Sequence, residues 1–248
     1  SGVATLMLLA QFQTAVSLIY PPRCLGGGGL VGQIAGLCGP CWRETEFISV
    51  TVVEGCGVPL PGESDGFRIE CDDCMATPRP WSQGRAALVY GGKARELVLA
   101  LKHGDRLDIA TPAAAWMARV AEPLLQDSPL VCPVPLHWSR LLKRRYNQSA
   151  VLARALAHRA GLQYCPDLLR RHRRTPSLDG LSRAERFRLL GDVIGVPPRK
   201  APALSGRNVL LVDDVMTSGA TLSACADACL RAGAEEVRIV VLARVTHA

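Results

Sequence analysis

The sequence predicts an α/β fold, in which a parallel β-sheet flanked by helices follows a small cysteine-rich domain. From about residue 86 onward, short apolar stretches alternate with amphipathic ones, which is typical of strand–helix–strand units. Before that point the chain is rich in cysteine, with six of its ten cysteines between residues 24 and 74. The segment Thr77-Pro78-Arg79-Pro80 separates the two compositions and is interpreted as a linker. We therefore expect an N-terminal helix within residues 1–21, a cysteine-rich domain over 22–77 and an α/β domain over 82–248.

The first residues carry an amphipathic pattern. Apolar residues recur at helical spacing at Leu8, Phe12, Ala15, Val16 and Ile19, and Pro21-Pro22 follows. We therefore expect a helix over 5–19 that ends before the prolines. The apolar run LMLLA is short and no basic stretch precedes it, so neither a secretory signal nor a membrane span is expected. Ten cysteines without such a signal favour a reducing compartment, the cytoplasm, with metal or core roles for the thiols.

Two cysteine pairs have the spacing of metal knuckles. Cys38 and Cys41 form one C-x2-C pair, and Cys71 and Cys74 form the other. Two such pairs complete a tetrahedral site, for which four thiolates favour Zn²⁺ over iron. A thioredoxin-like redox motif is the competing interpretation of a single pair. Because a site closed by four thiolates has no open position, we assign it a structural role.

Cys24 and Cys56 lack a partner at this spacing. If each was once half of a knuckle, the missing partners fall at Gly27 and Val53. This interpretation predicts one zinc site and one abandoned site, with Cys24 and Cys56 close together as free thiols or as possible ligands. Two unrelated cysteines are the alternative.

The α/β part follows a regular order. We expect strands over 86–92, 130–135, 192–196, 208–213 and 237–245, and helices over 93–103, 112–125, 147–161 and about 222–230. The stretch NVLLVD at 208–213 is too apolar to alternate, as a parallel strand covered on both faces should be. The other four cysteines, Cys132, Cys165, Cys225 and Cys229, are assigned to the core.

Positive charge is concentrated in one part of the chain. The formal net charge is +7, and residues 140–188 hold 13 of the 29 lysines and arginines but only three acidic residues. A solvated basic face and a site for phosphate, pyrophosphate or nucleic acid both explain this distribution.

The stretch VLLVDDVMTSGAT at 209–221 carries the clearest chemistry. Ligands bind beyond the carboxyl ends of strands in an open parallel sheet, and Asp213 and Asp214 stand at such an end. The loop that follows opens a helix, whose free N–H groups and dipole favour an anion. Thr217, Ser218 and Thr221 add hydroxyl groups, and Gly219 permits a close backbone approach. A phosphate site beside carboxylates that hold a diol, or a magnesium ion bound to it, suits a ribose 5-phosphate.

This stretch resembles the phosphoribosyl pyrophosphate (PRPP) motif of type I phosphoribosyltransferases. The segments LALKHGD, CPVPLHWSRLLKRRYNQS and RTPSLDGLSRAERF, together with the cysteine-rich front end, resemble the ComF family, the competence-protein-F or amidophosphoribosyltransferase-like group. The resemblance covers essentially the whole chain. It implies a type I phosphoribosyltransferase-like parallel sheet flanked by helices, with a small N-terminal zinc-binding domain.

The resemblance also implies residue roles. Asp213 and Asp214 hold the ribose hydroxyls, and a mobile flap from Arg173 to Arg188 closes over the site. The 5-phosphate lies against Met216, Thr217, Ser218, Gly219, Ala220 and Thr221. Pyrophosphate faces Arg140, Lys143, Arg144 and Arg145. The family usually has glutamine where this chain has Leu178, and cysteines where it has Gly27 and Val53.

The implied function is a phosphoribosyltransferase-like protein that binds PRPP with Mg²⁺ and acts in DNA uptake during natural transformation. Its reaction displaces pyrophosphate from C1 of PRPP, but no residue identifies the acceptor. The alternative is a non-catalytic PRPP sensor or a single-stranded DNA-binding factor, which the basic stretch 140–188 favours. Partners implied are PRPP, single-stranded DNA, and DNA-uptake proteins such as a competence helicase.

Overall fold

A computed structural model describes most of the chain. Its described residues are 21–32, 36–49, 52–60, 71–103, 106–136, 146–172, 185 and 193–246. The helix expected over 5–19 lies outside them. No helix among these residues has the length and apolarity needed to cross a bilayer.

The described residues form six α-helices and six β-strands. The helices are α1 (Gly39–Arg43), α2 (Asp72–Ala76), α3 (Gly92–His103), α4 (Ala110–Ala121), α5 (Gln148–Ala160) and α6 (Ala220–Arg231). The strands are β1 (Gln83–Val89), β2 (Leu130–Pro133), β3 (Arg170–Arg171), β4 (Ile194–Gly195), β5 (Asn208–Met216) and β6 (Glu236–Arg244). Short 3₁₀ helices cover Leu107–Ile109, Glu122–Leu124 and Pro198–Ala203.

Four strands form one parallel sheet in the order β1-β6-β5-β2. Val209 of β5 is in register with Leu130 of β2 on one side and with Val237 of β6 on the other. β5 and β6 are therefore central, which explains their nearly continuous apolar sequences. All four carboxyl ends lie at the same edge of the sheet, as the sequence predicts.

Helices cover both faces of this sheet. On one face, Leu97, Met117 and Leu156 of α3, α4 and α5 join a buried cluster with Leu210 and Val212 of β5. On the other face, Leu222 and Cys225 of α6 pack with Val209 and Leu211, in the same cluster as Cys56 and Cys74 of the cysteine-rich part. The α/β fold class is confirmed. The core assignments also hold: Cys132, Cys225 and Cys229 are fully buried, and Cys165 is partly buried against the core.

The cysteine-rich part is joined to the edge of the sheet. Ile48 N–H donates to the carbonyl of Ala87 at 2.9 Å, and Val89 N–H donates to the carbonyl of Glu46 at 3.0 Å. The segment around Phe47 thus covers the free edge of β1, which would otherwise expose unpaired backbone groups. Trp81 Nε1 donates to the carbonyl of Gly55 at 2.5 Å and makes a second connection.

Two details differ from the sequence-based expectation. The first strand begins at Gln83 rather than 86 and ends at Val89, because Gly92 already belongs to α3. The expected strand over 192–196 is only Ile194–Gly195, and it pairs antiparallel with β3, where Arg171 is in register with Ile194. The sequence did not predict β3, because its two residues are both arginines and carry no apolar pattern.

Candidate functional site

Asp213 lies at the carboxyl end of β5 and is held by two hydrogen bonds. Its Oδ1 accepts from Ser149 Oγ at 2.7 Å and from the backbone N–H of Asp214 at 2.9 Å. Burial, together with the neighbouring carboxylate of Asp214, raises the pKa of Asp213 from 3.8 to about 7, although these hydrogen bonds and Lys102 oppose the rise. An added cation or hydroxyl donor would therefore stabilise the ionised form.

Asp214 is buried and faces a lysine from another helix. Its Oδ2 lies 3.1 Å from Nζ of Lys102, near the end of α3. Its Oδ1 accepts from the backbone N–H of Val215 at 2.7 Å. Sequence reasoning assigned no role to Lys102, although the segment LALKHGD that contains it carried part of the resemblance. Both predicted acidic residues thus lie at the same sheet edge, each with a different partner.

The segment Tyr146–Ser149 connects three parts of the site. Tyr146 Oη donates to the carbonyl of Leu101 at 2.5 Å, and Gln148 Nε2 donates to the carbonyl of Lys102 at 3.4 Å. Asn147 caps α5, since its Oδ1 accepts from the Ser149 N–H at 3.1 Å. Its Nδ2 also donates to the carbonyl of Val134 after β2, at 3.0 Å. The segment therefore fixes the ends of α3, β2 and β5 relative to one another.

The loop after β5 turns sharply into α6. Gly219 has a φ of +81°, which favours glycine. A Cβ there would lie 2.9 Å from both Arg79 Nη1 and Met216 Cε. Ser218 Oγ accepts from the Ala220 N–H at 3.4 Å, and Thr217 is exposed. The loop follows the two acidic residues directly and presents the N-terminus of α6.

Two arginines outside the loop hold its backbone. Arg79 Nη1 donates to the carbonyl of Ser218 at 2.9 Å, and its guanidinium lies 5.4 Å from the Trp81 ring centroid. Arg244, at the end of β6, is 1% exposed and donates to the carbonyls of Met216 at 3.2 Å and Thr217 at 2.5 Å. Sequence reasoning missed both, since Arg79 was interpreted as part of a linker and Arg244 as part of a strand.

Arg244 also faces the cysteine-rich part. Its Nη2 lies 3.7 Å from Oδ2 of Asp73, which belongs to α2 between Cys71 and Cys74. One buried guanidinium thus contacts both the loop after β5 and a cysteine knuckle.

The predicted pyrophosphate cations lie outside the described residues. They are Arg140, Lys143, Arg144 and Arg145. Of the basic residues next to the predicted flap, Arg170 is exposed and Arg171 is half-buried in β3, whereas Arg173 and Arg174 lie outside the described residues.

The cysteines form two groups, and neither is the one expected from spacing. Cys24, Cys38 and Cys41 form one group, and Cys56, Cys71 and Cys74 form the other. Within each group the sulfur atoms lie within 4.8 Å of one another. The expectation of one site made by both C-x2-C pairs is corrected: each pair instead joins one of the cysteines that appeared isolated. Cys24 and Cys56 are not neighbouring free thiols, because each belongs to a different group.

The chemistry of the first group fits a metal ion. Burial opposes ionisation of Cys24, but backbone N–H groups of Cys38, Gly27 and Gly26 lie 3.2–3.4 Å from its Sγ and lower its pKa to about 6. Burial and the neighbouring sulfurs of Cys38 and Cys24 raise the pKa of Cys41 to about 12. A bound cation would remove the penalty on Cys41, since metal ions deprotonate the thiols that coordinate them.

Comparison with known proteins places this architecture. Residues 147–248 match the phosphoribosyl transferase domain family, and residues 15–75 match the double zinc ribbon domain family. Competence protein F of Haemophilus influenzae is 32% identical over 214 residues, covering 84% of this chain and 90% of the relative. The DNA utilization protein YhgH of Salmonella typhimurium is 29% identical over the same shares of the two chains.

Solved structures are more distant. In glutamine PRPP amidotransferase from B. subtilis, complexed with ADP and GMP, the similar region covers 58% of this chain and 30% of that chain. The identity is 18% and the TM-score is 0.39. The assignment therefore depends on the family models and the relatives.

The fold and the cysteine groups define a phosphoribosyltransferase-type α/β protein with an N-terminal double zinc ribbon. The chain belongs to the ComF family, the family of competence protein F.

Proposed function

We propose that the chain binds PRPP together with Mg²⁺ at the carboxyl end of β5. The observation that carries this proposal is the pair of carboxyl groups of half-buried Asp213 and buried Asp214, followed by the Gly219 turn into α6. Carboxylates accept hydrogen bonds from the vicinal hydroxyls of a ribose, and a helix N-terminus suits a phosphate monoester. The 5-phosphate therefore lies against Met216–Thr221 and the ribose against Asp213 and Asp214.

The chain's own groups prepare this site before the ligand arrives. Ser149 and Lys102 orient the two carboxyl groups, at 2.7 Å from Asp213 and 3.1 Å from Asp214. Arg79 and Arg244 hold the carbonyls of Ser218 and Thr217, which fixes the backbone of the loop. A magnesium ion bound together with PRPP beside Asp213 and Asp214 would supply charge neutralisation for the leaving group.

The test is calorimetric titration of the protein with Mg²⁺ and PRPP. Wild-type protein is expected to bind, and the double variant Asp213→Asn/Asp214→Asn to lose binding while keeping its circular dichroism spectrum. Equal binding by both proteins contradicts the ribose assignment. Pyrophosphate release across a panel of bases and amines then separates an active transferase from a sensor, since only a transferase releases pyrophosphate with an acceptor.

We infer that the chain acts in DNA uptake or utilisation. The names of its relatives, competence protein F and DNA utilization protein, support this role. The concentration of cations over residues 140–188 supports direct contact with single-stranded DNA, because phosphate contacts dominate such binding. In this role the chain would act together with other DNA-uptake proteins, such as a competence helicase.

A salt titration of DNA binding tests this second proposal. Replacing Arg170, Arg171, Arg173 and Arg174 by glutamine should weaken retention of single-stranded DNA. The slope of log affinity against log salt should fall by roughly one unit or slightly less for each lost phosphate contact. PRPP affinity should change little. If PRPP binding collapses and the DNA slope is unchanged, these arginines serve the phosphoribosyl site instead.

We further propose that each cysteine group holds one zinc ion in a structural role. The ligands are Cys24, Cys38 and Cys41 in the first group and Cys56, Cys71 and Cys74 in the second. Metal analysis of the full chain, expected to give two zinc ions per chain, tests this assignment.

A further inference from the structure

The two halves of the cysteine-rich part are structural repeats of each other. In the first, Cys24 N–H donates to the carbonyl of Gly29 at 2.6 Å, and Gly28 N–H donates to the carbonyl of Cys24 at 3.0 Å. In the second, Val53 N–H donates to the carbonyl of Val58 at 2.9 Å, and Gly57 N–H donates to the carbonyl of Val53 at 2.8 Å. Gly28 and Gly57 both have a φ of +69°. The two turns therefore have the same conformation, with Cys24 equivalent to Val53.

The flanking residues repeat as well. An antiparallel bridge joins Arg23 to Leu30 in the first half and Val52 to Pro59 in the second. Each half then ends in a C-x2-C pair at the start of a five-residue helix, α1 or α2. By this equivalence, Gly27 in the first turn corresponds to Cys56 in the second.

Each repeat lacks a different ligand of the same four-position site. The first keeps the cysteine at the first position of the turn, Cys24, and has Gly27 at the fourth. The second has Val53 at the first position and keeps Cys56 at the fourth. The two sites therefore differ in what lies opposite their three thiols.

The vacant position of the first site opens to solvent. Gly27 is exposed, and a Cβ built on it would lie 3.2 Å from Cys41 Sγ and within 4 Å of no other atom of the described residues. In the second site, by contrast, Val53 is 0% exposed and lies in the same buried cluster as Cys56 and Cys74. Its isopropyl group fills the place that a fourth ligand would need.

Among the described residues, no further cysteine and no histidine joins either group of three thiols. The undescribed segments before and within the cysteine-rich part, 1–20, 33–35, 50–51 and 61–70, contain neither cysteine nor histidine. The remaining cysteines, Cys132, Cys165, Cys225 and Cys229, belong to the α/β core.

We propose that the first site binds zinc through Cys24, Cys38 and Cys41 and takes its fourth donor from solvent, whereas the second site is closed by Val53. Zinc prefers four donors, and three protein ligands plus one exchangeable water is the arrangement of an open site. A small thiol is the class of ligand that would replace this water, since thiolates are soft donors that zinc favours. In the exchange, the thiol loses its proton to the buffer, its sulfur bonds to the metal, and water leaves. The open first site rests on the zinc occupancy proposed above and is independent of PRPP binding.

Cobalt(II) substitution of the full chain tests this difference between the sites. Metal-free protein is kept reduced with a phosphine, so that no small-molecule thiol is present, and is loaded with two equivalents of Co²⁺. The sulfur-to-cobalt charge-transfer absorption is recorded before and after addition of 2-mercaptoethanol. The wild-type absorption should rise by about one part in six, because a seventh Co–S bond joins the six made by the two groups of three cysteines.

Two matched variants each add one cysteine. Gly27→Cys should begin with the higher absorption and show no response to thiol, because its own sulfur occupies the open position. Val53→Cys should begin equally high but still respond, because it changes only the second site. A response that persists in Gly27→Cys overturns the proposal, as does one that is absent from the wild type or lost in Val53→Cys.

Discussion

The raised pKa of Asp213 makes a testable contribution to stability. This carboxyl has a pKa of about 7 in the folded chain against an ordinary 3.8, mainly because it is buried and lies beside Asp214. Between these values the folded protein retains a proton that the unfolded chain has lost. Stability must therefore fall as the pH rises through this window. Each pH unit contributes about 1.4 kcal/mol, so from pH 5 to pH 8 the free energy of unfolding falls by about 3 kcal/mol on account of this group.

Replacement of Asp213 by asparagine removes that dependence. Asparagine keeps an oxygen that accepts from Ser149 Oγ and from the Asp214 N–H, but it does not titrate. Urea unfolding of wild type and variant at pH 5, 6, 7 and 8, with zinc present throughout, measures the difference. From pH 5 to pH 8, the free energy of unfolding of the Asp213→Asn variant is expected to rise by about 3 kcal/mol relative to that of wild type. Metal loss affects both proteins and cancels in the comparison.

Asp108 provides a matched control. Its pKa is lowered by hydrogen bonds from Arg106, so both its folded and unfolded forms are ionised above pH 5. The free energy of unfolding of the Asp108→Asn variant should change with pH in parallel with that of wild type over the same range. Parallel curves for Asp213→Asn and wild type would refute the reasoning, because they would mean that Asp213 is already ionised at pH 5.

Three further perturbations address the neighbours of the site. Lys102→Met leaves buried Asp214 without its ion-pair partner and should lower the free energy of unfolding by about 2 kcal/mol in urea titrations, with much of the loss recovered on adding Asp214→Asn. Gly219→Ala should lower the free energy of unfolding more than Gly206→Ala does. Both glycines have positive φ, but only a Cβ on Gly219 meets atoms at 2.9 Å. Equal losses would mean that backbone strain, about 1 kcal/mol, is the only effect. Arg244→Met should speed amide hydrogen exchange in both the loop after β5 and α2, because one guanidinium contacts both; faster exchange in the loop alone would deny the link to Asp73.

The parts of the fold that local sequence pattern determines were predictable. β5 and β6 appear as apolar runs because central parallel strands are covered on both faces. Asn147 and Gly161 are typical capping residues and indicate the two ends of α5. The acid pair and the glycine turn were found for the same reason, since strand end, carboxylates and helix start are consecutive in the chain. By contrast, β3 was missed because two arginines carry no periodic signal.

The supporting residues of the site depend on contacts between distant segments. Lys102 meets Asp214, Arg79 meets Ser218, and Arg244 meets both Thr217 and Asp73. A single arginine in a linker or a strand has the same local sequence whether it faces solvent or a loop carbonyl. Only the sheet order, which brings the end of β6 beside the end of β5, assigns Arg244 its role.

The prediction of the cysteine groups was wrong for a different reason. The sequence contains the repeat that defines them, but the cysteines were interpreted by pair spacing alone. The stretches RCLGGGGL at 23–30 and VVEGCGVP at 52–59 share glycines at equivalent positions, Gly26 with Gly55 and Gly28 with Gly57. The turn is held by backbone hydrogen bonds and by a left-handed glycine, neither of which requires a cysteine. The turn therefore forms whether its first or its fourth position is a cysteine. Because the two repeats carry their cysteine at opposite ends of the turn, each has three thiols around its own site, and two apparently unrelated cysteines mark two sites instead of one abandoned site.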